Sequence, residues 1–215
     1  MDQDSRAHLT KLYRRSLALH GPTARGQRWS SEESQRERFR LLARIGPWTR
    51  RSVADLGCGV GDFLGFLREH AWRGRVYEGF DIVPEMVDAA RHKQRGRGGR
   101  FEVRDVLAEG FPRRYDYVVS SGVFNLRIED HERFFRGMVE AMYAACRRGV
   151  AFNVMQPLPR DTAREEAFDL LYRNSYYGVT PAELLTFCHG FCPNVELLES
   201  ERVRLETTVL LRRPA

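Results

Sequence analysis

Three glycines at alternate positions, Gly57, Gly59 and Gly61, form the part of this sequence best suited to hold a ligand. A short apolar run ends at Asp55 just before them, and apolar residues at helical spacing follow from Phe63. This pattern predicts a strand, a tight turn and a helix, with the glycine backbone open to a ligand lying directly on it. The chemistry of that ligand depends on the charges around the turn.

Two carboxylates flank the glycine turn and argue against the common phosphate-binding loops. The dinucleotide fingerprint requires its third glycine at position 62, where this sequence has Asp62. No Gly-Lys-Ser/Thr sequence follows the turn, which excludes a P-loop. Asp55 and Asp62 would repel a phosphate, and they suit a ligand that carries positive charge and no phosphate.

Two more acids follow predicted strands further along the chain. Asp81 ends the strand-like run 76–80, and Asp105 ends the run 101–104. Because the carboxyl ends of parallel strands meet at one edge of a sheet, we expect both acids to lie near the glycine turn. An acid after the second strand can accept hydrogen bonds from both hydroxyls of a ribose. The alternative is that these acids are ordinary helix caps or turn formers.

The segment 55–62, with Asp81 and Asp105 behind it, resembles the cofactor motifs of the class I S-adenosylmethionine (SAM) methyltransferases. The resemblance implies that Asp81 binds the ribose and that Asp105 accepts a hydrogen bond from the adenine amino group. It also implies that the Val106 backbone amide contacts the adenine ring, and that the region after the fourth strand lies beside the transferable methyl. The residues expected around SAM are Asp55, Gly57, Cys58, Gly59, Asp62, Phe63, Asp81, Ile82, Met86, Asp105, Val106, Ser120, Trp29 and Arg25.

The first 45 residues precede the predicted sheet. Residues 11–20 have helical spacing, and Ser30-x-x-Glu33 has the spacing of a capping box that opens a second helix ending near Ile45. By resemblance to the fold family, such an N-terminal addition is expected to close over the pocket. We therefore predict a helical lid over residues 1–45.

The lid sequence offers two candidate contacts with the ligand. Its run HGPTARG followed by WSSEESQ resembles a run found in a group of small bacterial SAM-dependent methyltransferases. Trp29 could cover the sulfonium by cation–π attraction, or it could pack the lid on the sheet. Arg25 could bind a carboxylate of SAM or substrate, or it could be solvated. Residues 46–215 are then expected to form the SAM-binding domain.

Methyl transfer from a sulfonium requires alignment of the nucleophile, exclusion of water and, where needed, removal of a proton. Asn125, after the fourth predicted strand, could orient a polar group of the substrate or act as a turn residue. His20 is the best-placed N-terminal base candidate, with an inert loop histidine as the alternative. Tyr176, with Tyr172 and Tyr177, could line a substrate pocket or pack as an ordinary aromatic residue. These three residues, Asn125, His20 and Tyr176, are the catalytic candidates.

No metal site is expected. The four cysteines show no zinc spacing with a second Cys or His pair, so buried or half-buried reduced thiols are the better interpretation.

The segment between the fourth strand and the following helix contains no Pro-Pro pair. By resemblance to the family, enzymes that methylate amino groups of nucleic-acid bases or of protein glutamine usually have such a pair there. Its absence therefore argues against an RNA or protein substrate.

Helical and strand patterns alternate from Arg51 to the C-terminus, which predicts an α/β fold with a parallel, doubly wound sheet. The resemblance implies the Rossmann-like seven-stranded order 3-2-1-4-5-7-6, with the seventh strand antiparallel. The predicted strands are 52–55, 76–80, 101–104, 115–119, 149–154, 194–199 and 206–212. The predicted helices of this part are 62–70, 84–94, 129–147 and 180–190, with Pro84, Thr180 and Pro181 as helix-start residues and Gly149 as a helix stop.

Composition restricts the partners. The net charge is +6, but only two of the 35 basic residues are lysines, and the basic run 91–100 has no interleaved aromatic residues to stack on bases. We therefore expect a solvated loop there and no nucleic-acid site. No apolar run approaches 18 residues and the N-terminus is polar, so we expect no membrane span, no signal peptide and a cytoplasmic location.

The sequence thus predicts a SAM-dependent methyltransferase acting on a small molecule. Alternatives that stay open are an RNA or protein methyltransferase, an enzyme that cyclises or cleaves SAM, and a SAM-binding protein without turnover. The oligomeric state is left open.

Overall fold

A computed structural model describes residues 1–70, 73–158 and 175–214 of the chain. The described residues contain one seven-stranded sheet. Its strands are β1 (Ser52–Leu56), β2 (Val76–Asp81), β3 (Gly99–Val103), β4 (Tyr115–Ser120), β5 (Cys146–Met155), β6 (Asn194–Leu198) and β7 (Glu206–Arg212). The order is β3-β2-β1-β4-β5-β7-β6, with β7 antiparallel to β5 and β6. The predicted fold class and strand order are confirmed.

Helices separate the strands, and two precede them. They are α1 (Gln3–His20), α2 (Glu32–Leu42), α3 (Asp62–Glu69), α4 (Pro84–Lys93), α5 (Val106–Glu109), α6 (His131–Ala145) and α7 (Pro181–His189). The four helices predicted within the sheet region are present, and their ends agree with the prediction or differ from it by one or two residues. Helix α1 begins eight residues before its predicted start, and the short α5 was not predicted because it has too few residues to show helical periodicity.

The core lies on both faces of the sheet, since helices cover each face. Successive residues of β1 show this, because Val53 packs in the apolar cluster that includes Phe39 and Phe63, and Ala54 packs in the cluster that includes Phe135 and Phe152. Burial on both faces explains why the central strands read as nearly continuous apolar runs rather than as alternating ones.

Local sequence signals correctly predict the residue that caps the start of α7, but not the one that caps the start of α2. Thr180 caps α7, as predicted, and Glu183 completes a capping box there. The cap of α2 is Ser31, whose Oγ accepts the Ser34 N–H at 3.1 Å, so the capping box predicted at Ser30 is wrong by one residue. The prediction was wrong because Ser30 and Ser31 have the same ability to cap a helix. Only the backbone conformation decides which of the two does so.

Gly149 does not stop a helix, contrary to the sequence prediction. Helix α6 ends at Ala145, and Gly149 lies inside β5 opposite Arg212 of β7. A Cβ at this position would lie 2.7 Å from the Leu211 carbonyl oxygen, so glycine permits the close approach of two strands there. Pairing between distant strands therefore decided a position that the local sequence assigned to a helix end.

The four cysteines are buried and unpaired, as expected. Among the described residues, no helix is long and apolar enough to cross a membrane. The functional edge of the sheet lies where β1 has β2 on one side and β4 on the other, because the chain reverses its direction of winding at this point. Ligands of open α/β sheets bind at the carboxyl ends of strands beside such a switch point.

Candidate active site

The glycine turn follows β1 at this switch point. Gly57 and Gly59 have φ angles of 68° and 52°, a left-handed conformation that favours glycine. The Gly57 N–H donates to the Phe80 carbonyl oxygen at 2.7 Å, which ties the turn to the end of β2. A Cβ at Gly57 would lie 2.2 Å from a methyl carbon of Val123, so the turn also packs against the segment after β4. Three strand ends are joined in this way.

Asp55 is a buried acid beneath the turn. It is 3% exposed and accepts a hydrogen bond from the Tyr77 hydroxyl. Burial raises the pKa of Asp55 to about 7 from its ordinary value of 3.8, and the nearby charges of Asp81 and Asp62 act in the same direction. An acid that is costly to ionise in the free protein is stabilised in its charged form by a cationic ligand.

Asp81 lies at the end of β2 and holds the turn by its backbone. One carboxylate oxygen accepts the Gly59 N–H and the other accepts the Val83 N–H, both at 2.9 Å. Burial raises the pKa of Asp81, and the hydrogen bonds from Val83 and Gly59 oppose this rise. Each oxygen keeps a lone pair for a ligand, because a carboxylate has about four acceptor sites.

Asp105 combines the two interpretations that the sequence left open. It caps α5, since its Oδ1 accepts the N–H groups of Leu107 and Ala108 at 3.1 and 3.4 Å. Its other oxygen lies 3.6 Å from the Arg6 guanidinium of α1, and the residue also lines the pocket. Asp105 therefore caps a helix, and it also lies at the pocket where a ligand would bind.

Helix α1 lies against α4 at the same pocket. Arg14 forms an ion pair with Glu85 at 2.6 Å, and Tyr13 packs on the small apolar cluster that contains Met86. Burial, together with the charge of Asp81, raises the pKa of Tyr13 to about 12. Tyr13 lines the pocket and was missed by the sequence reasoning. Its place in the stripe Leu9, Tyr13 and Leu17, with steps of four residues, is the signal that could have found it.

The loop between α1 and α2 is fastened to the start of α3. Nε2 of Gln27 donates to Oδ2 of Asp62 at 2.8 Å, and the Val60 N–H donates to Oε1 of Gln27 at 3.2 Å. The Lys93 ammonium lies 2.6 Å from Oδ1 of Asp62 and also donates to the Pro22 carbonyl at 2.9 Å. We call this group, Pro22, Gln27, Val60, Asp62 and Lys93, the loop latch.

Two expectations change at the loop latch. The carboxylate of Asp62, expected to contact SAM directly, is instead engaged by Gln27 and Lys93, and Asp62 does not line the pocket. Lys93, expected in a solvated loop, is the last residue of α4 and forms an ion pair with Asp62, although it is exposed. Gln27 itself lines the pocket and was not predicted. The reason is tertiary, because residues 22 and 27 reach α3 and α4 only when α1 is in place.

Trp29 lies on the turn that follows β4. Its ring would touch a Cβ placed at Gly122, whose φ is 80°, at 2.6 Å. The Arg38 guanidinium lies over the ring, 4.6 Å from its centre, so a protein cation already forms the cation–π contact with the indole. Trp29 also lines the pocket.

The segment after β4 forms another part of the pocket wall together with residues that follow β5. Leu126 and Tyr176 form an isolated antiparallel bridge, and the Tyr177 N–H donates to the Asn125 carbonyl at 2.9 Å. Asn125, Leu126 and Tyr176 line the pocket, whereas Tyr177 stacks on His131 with ring centres 4.0 Å apart. Tyr172 lies outside the described residues.

Most of the predicted site residues meet at one pocket. Those that line it are Trp29, Asp55, Gly57, Cys58, Gly59, Phe63, Asp81, Ile82, Met86, Asp105, Val106, Asn125 and Tyr176. His20, Arg25, Asp62 and Ser120 do not. His20 and Arg25 are exposed at the end of α1 and in the following loop, and Ser120 is fully buried within β4 while its neighbour Ser121 reaches the pocket.

The strand order and the acid-lined glycine turn define the chain as a class I methyltransferase in architecture. Residues 53–149 match the family model described as a methyltransferase domain. The Mycobacterium tuberculosis protein Rv1506c, named as a methyltransferase, is 32% identical over 167 residues that cover 75% of this chain and 93% of that one. The chain belongs to the class I SAM-dependent methyltransferases, and SAM is its methyl donor.

Other similarities are more limited in length or in identity. A trans-aconitate 2-methyltransferase of Mycobacterium sp. (strain KMS) is 51% identical over 55 residues, which cover 26% of this chain and 21% of that enzyme. The N-methyltransferase NodS from Bradyrhizobium japonicum, solved with S-adenosylhomocysteine (SAH), superposes with a TM-score of 0.66 at 15% identity, covering 96% of this chain and 98% of NodS. Magnesium protoporphyrin IX methyltransferase from Synechocystis superposes with a TM-score of 0.61 at 19% identity, covering 85% and 83%. At these identities the two superpositions show the fold.

The residues at the pocket fit SAM. Three carboxylates, from Asp55, Asp81 and Asp105, suit a ligand with a sulfonium, an ammonium and two ribose hydroxyls. Two buried oxygen atoms on the pocket wall, Oγ of Ser121 and Oδ1 of Asn125, have no hydrogen-bond partner among the described residues. Unpaired buried polar atoms are costly, so they mark places where a ligand completes the site.

Proposed function

We propose that this enzyme methylates a small molecule held beside the segment that follows β4. One observation carries the proposal: a single pocket is lined both by the cofactor turn and by Leu126 and Tyr176. Tyr13 and Trp29 of the N-terminal segment line the same pocket. An acceptor bound there would be surrounded by protein on several sides, which suits a small molecule better than a nucleic acid or a folded protein.

The roles of the cofactor residues form part of the proposal. Asp81 accepts the ribose hydroxyls, Asp105 accepts the adenine amino group, and the Val106 amide faces the adenine. Asp55 contributes negative charge for the cationic end of SAM. In the reaction, the acceptor lone pair forms a bond to the methyl carbon while the carbon–sulfur bond breaks and its electrons remain on sulfur. The protein supplies alignment and excludes water.

We also propose that residues 1–45 act as a lid. The contacts of Tyr13 with the Met86 cluster, the loop latch, and the packing of Trp29 against Gly122 support this role. His20 is not part of the proposed chemistry, because it is exposed and does not line the pocket. Asn125 is the residue assigned to the acceptor, and Tyr176 is assigned to the pocket wall.

The relatives support a small acceptor without identifying it. The trans-aconitate enzyme acts on a small carboxylic acid by its name, but the similarity covers 21% of its length. The net charge of +6 is the feature that favoured RNA, and Lys93, in the densest basic run, forms an ion pair within the loop latch. A cytoplasmic location stays a prediction, and the oligomeric state is untested.

The test is a turnover assay on the purified chain with SAM and a panel of small hydroxyl, amine, thiol and carboxylate acceptors. Formation of SAH with at least one small acceptor, and not with tRNA or mixed proteins, is the expected result. Release of methylthioadenosine would indicate cleavage or cyclisation of SAM instead. Salt-sensitive methylation of RNA alone would refute the proposed acceptor class.

A further inference from the structure

A buried carboxylate joins the N-terminal helices to the pocket wall. Glu206, at the start of β7, is 2% exposed, and its two oxygens accept from Nε of Arg38 at 2.8 and 2.9 Å. Nδ2 of Asn153 donates to the same carboxylate at 2.6 Å. The Asn125 side chain also interacts with this carboxylate, and its hydrogen bonding helps to lower the pKa of Glu206. Burial raises the pKa of Glu206, and the Arg38 charge and the two amides act to lower it. Glu206 therefore has several donors directed at it.

This arrangement fixes the orientation of two side-chain amides. A carboxylate accepts hydrogen bonds but does not donate them, so each asparagine turns its NH2 group towards Glu206 and its oxygen away. For Asn153 the other end is occupied, since its Oδ1 accepts the Gly122 N–H at 2.7 Å. For Asn125, which is 9% exposed, Oδ1 is buried without a partner among the described residues. Asn125 is a pocket residue, so it presents an acceptor rather than a donor to the ligand space.

We propose that Glu206 and Arg38 are positioning residues that present Asn125 Oδ1 to the acceptor, and that the acceptor is methylated at a group that donates a hydrogen bond, a hydroxyl or an N–H. This inference rests on the proposed function, because it takes the acceptor to lie beside Asn125. A group without a proton, such as an ether or a tertiary amine, would leave the buried oxygen unpaired and bind less well.

The chemical step is consistent with a neutral amide at this place. The hydrogen bond to Asn125 holds the donor's proton, which leaves a lone pair of the same oxygen or nitrogen free to form the new bond to the methyl carbon. The carbon–sulfur bond breaks and its electron pair stays on sulfur. The methylated group carries the extra proton and loses it to bulk water when the product leaves the pocket, since an amide oxygen does not act as a strong base.

The ion pair of Arg38 and Glu206 also involves the N-terminal segment proposed as the lid. Arg38 belongs to α2, and its guanidinium lies over Trp29 and donates from Nη1 to the Ser34 carbonyl oxygen at 3.0 Å. Trp29 in turn packs on Gly122, whose amide is held by Asn153. Arg38 therefore connects the lid contact and the Asn125 orientation through one carboxylate.

The test measures binding of matched fragment pairs to the full chain saturated with SAH. The pairs are phenol with anisole, and indole with N-methylindole, so that each pair differs in one donor hydrogen replaced by methyl. We expect the donor member to bind about tenfold more tightly in the unchanged protein, and the preference to fall below about twofold in Asn125→Ala. Glu206→Gln should reduce it similarly, because its new NH2 group can turn the Asn125 amide around, whereas Glu206→Asp should retain part of it.

Glu69→Gln is the matched control, since it alters the exposed ion pair between Arg36 of α2 and Glu69 of α3 and should leave the preference unchanged. Equal binding of both members, absence of binding by every donor member, or a full preference in Glu206→Gln and Asn125→Ala would overturn the inference. So would a loss of SAH affinity of tenfold or more in Asn125→Ala without any fragment preference, because the cofactor would then be the donor. Failure of SAH to bind the unchanged chain would instead refute the cofactor assignment on which the proposed function rests.

Discussion

Replacing Asp55 with Asn should make the free protein more stable and the SAM complex weaker. The side chain keeps its shape, and its remaining oxygen can still accept the bond from the Tyr77 hydroxyl. The pKa of Asp55 rises from 3.8 to about 7 on folding, mainly through burial. Because this pKa is higher in the folded chain, the contribution of Asp55 to stability is present below its unfolded pKa and is lost as the pH rises towards about 7.

The magnitude follows from these two values. Each unit of difference between the folded and unfolded pKa of Asp55 corresponds to about 1.4 kcal/mol. A difference of about three units therefore destabilises the folded chain by at most about 4 kcal/mol at pH 8. Asp55→Asn should therefore increase the free energy of unfolding by up to about 4 kcal/mol at pH 8, and by little near pH 4. Urea denaturation at the two pH values measures the difference.

Asp116→Asn is a control in which the effect on stability should have the opposite sign. Burial acts to raise the pKa of Asp116, but hydrogen bonds from Ser52 and nearby arginines lower it overall, so this substitution should destabilise the chain.

SAM binding gives the second half of the test. A bound cation favours ionised Asp55, so a pKa near 7 in the free protein predicts about a tenfold weaker SAM affinity at pH 6 than at pH 8. Calorimetric titrations should show this dependence in the unchanged chain and lose it in Asp55→Asn, with weaker binding at pH 8. A variant that is less stable at pH 8, or that keeps the full pH dependence of binding, would refute the electrostatic role given to Asp55.

Three further predictions concern the cofactor acids and the lid. Asp81→Ala should cost about 2–4 kcal/mol of SAH affinity in calorimetry, through lost ribose bonds and freed turn amides, and binding equal to that of the unchanged chain would disprove the ribose assignment. Trp29→Ala should weaken SAM binding with little change in melting temperature, whereas a loss of about 3–5 kcal/mol of stability with unchanged affinity would show that Trp29 is core packing. Lys93→Gln should open the loop latch and weaken SAH binding by about 0.5–1 kcal/mol. Lys11→Gln, at an exposed position of α1, should leave the affinity unchanged. Equal affinities in the two variants would contradict the role given to the loop latch.

Several features of the site are local and were predictable for that reason. The glycine turn needs left-handed backbone at Gly57 and Gly59, and the sequence shows this requirement directly. Asp81 and Asp105 follow strands whose apolar runs can be recognised from periodicity, so their meeting at one edge follows from parallel pairing. The order of the outer strands came from resemblance to the family and not from local pattern.

The remaining features depend on which surfaces meet, and a single sequence does not contain that information in readable form. Arg38 and Glu206 are 168 residues apart and pair only after α2 has packed beside β7. His20 and Tyr13 lie on the same helix, yet the direction in which α1 docks leaves one exposed and places the other at the pocket. The sequence by itself determined the turn and the acids, because short-range backbone geometry and charge specify them, and its resemblance to the family indicated the cofactor. The tertiary structure decided the partners of Asp62, the lid contacts and the orientation of Asn125, because each results from packing between elements distant along the chain.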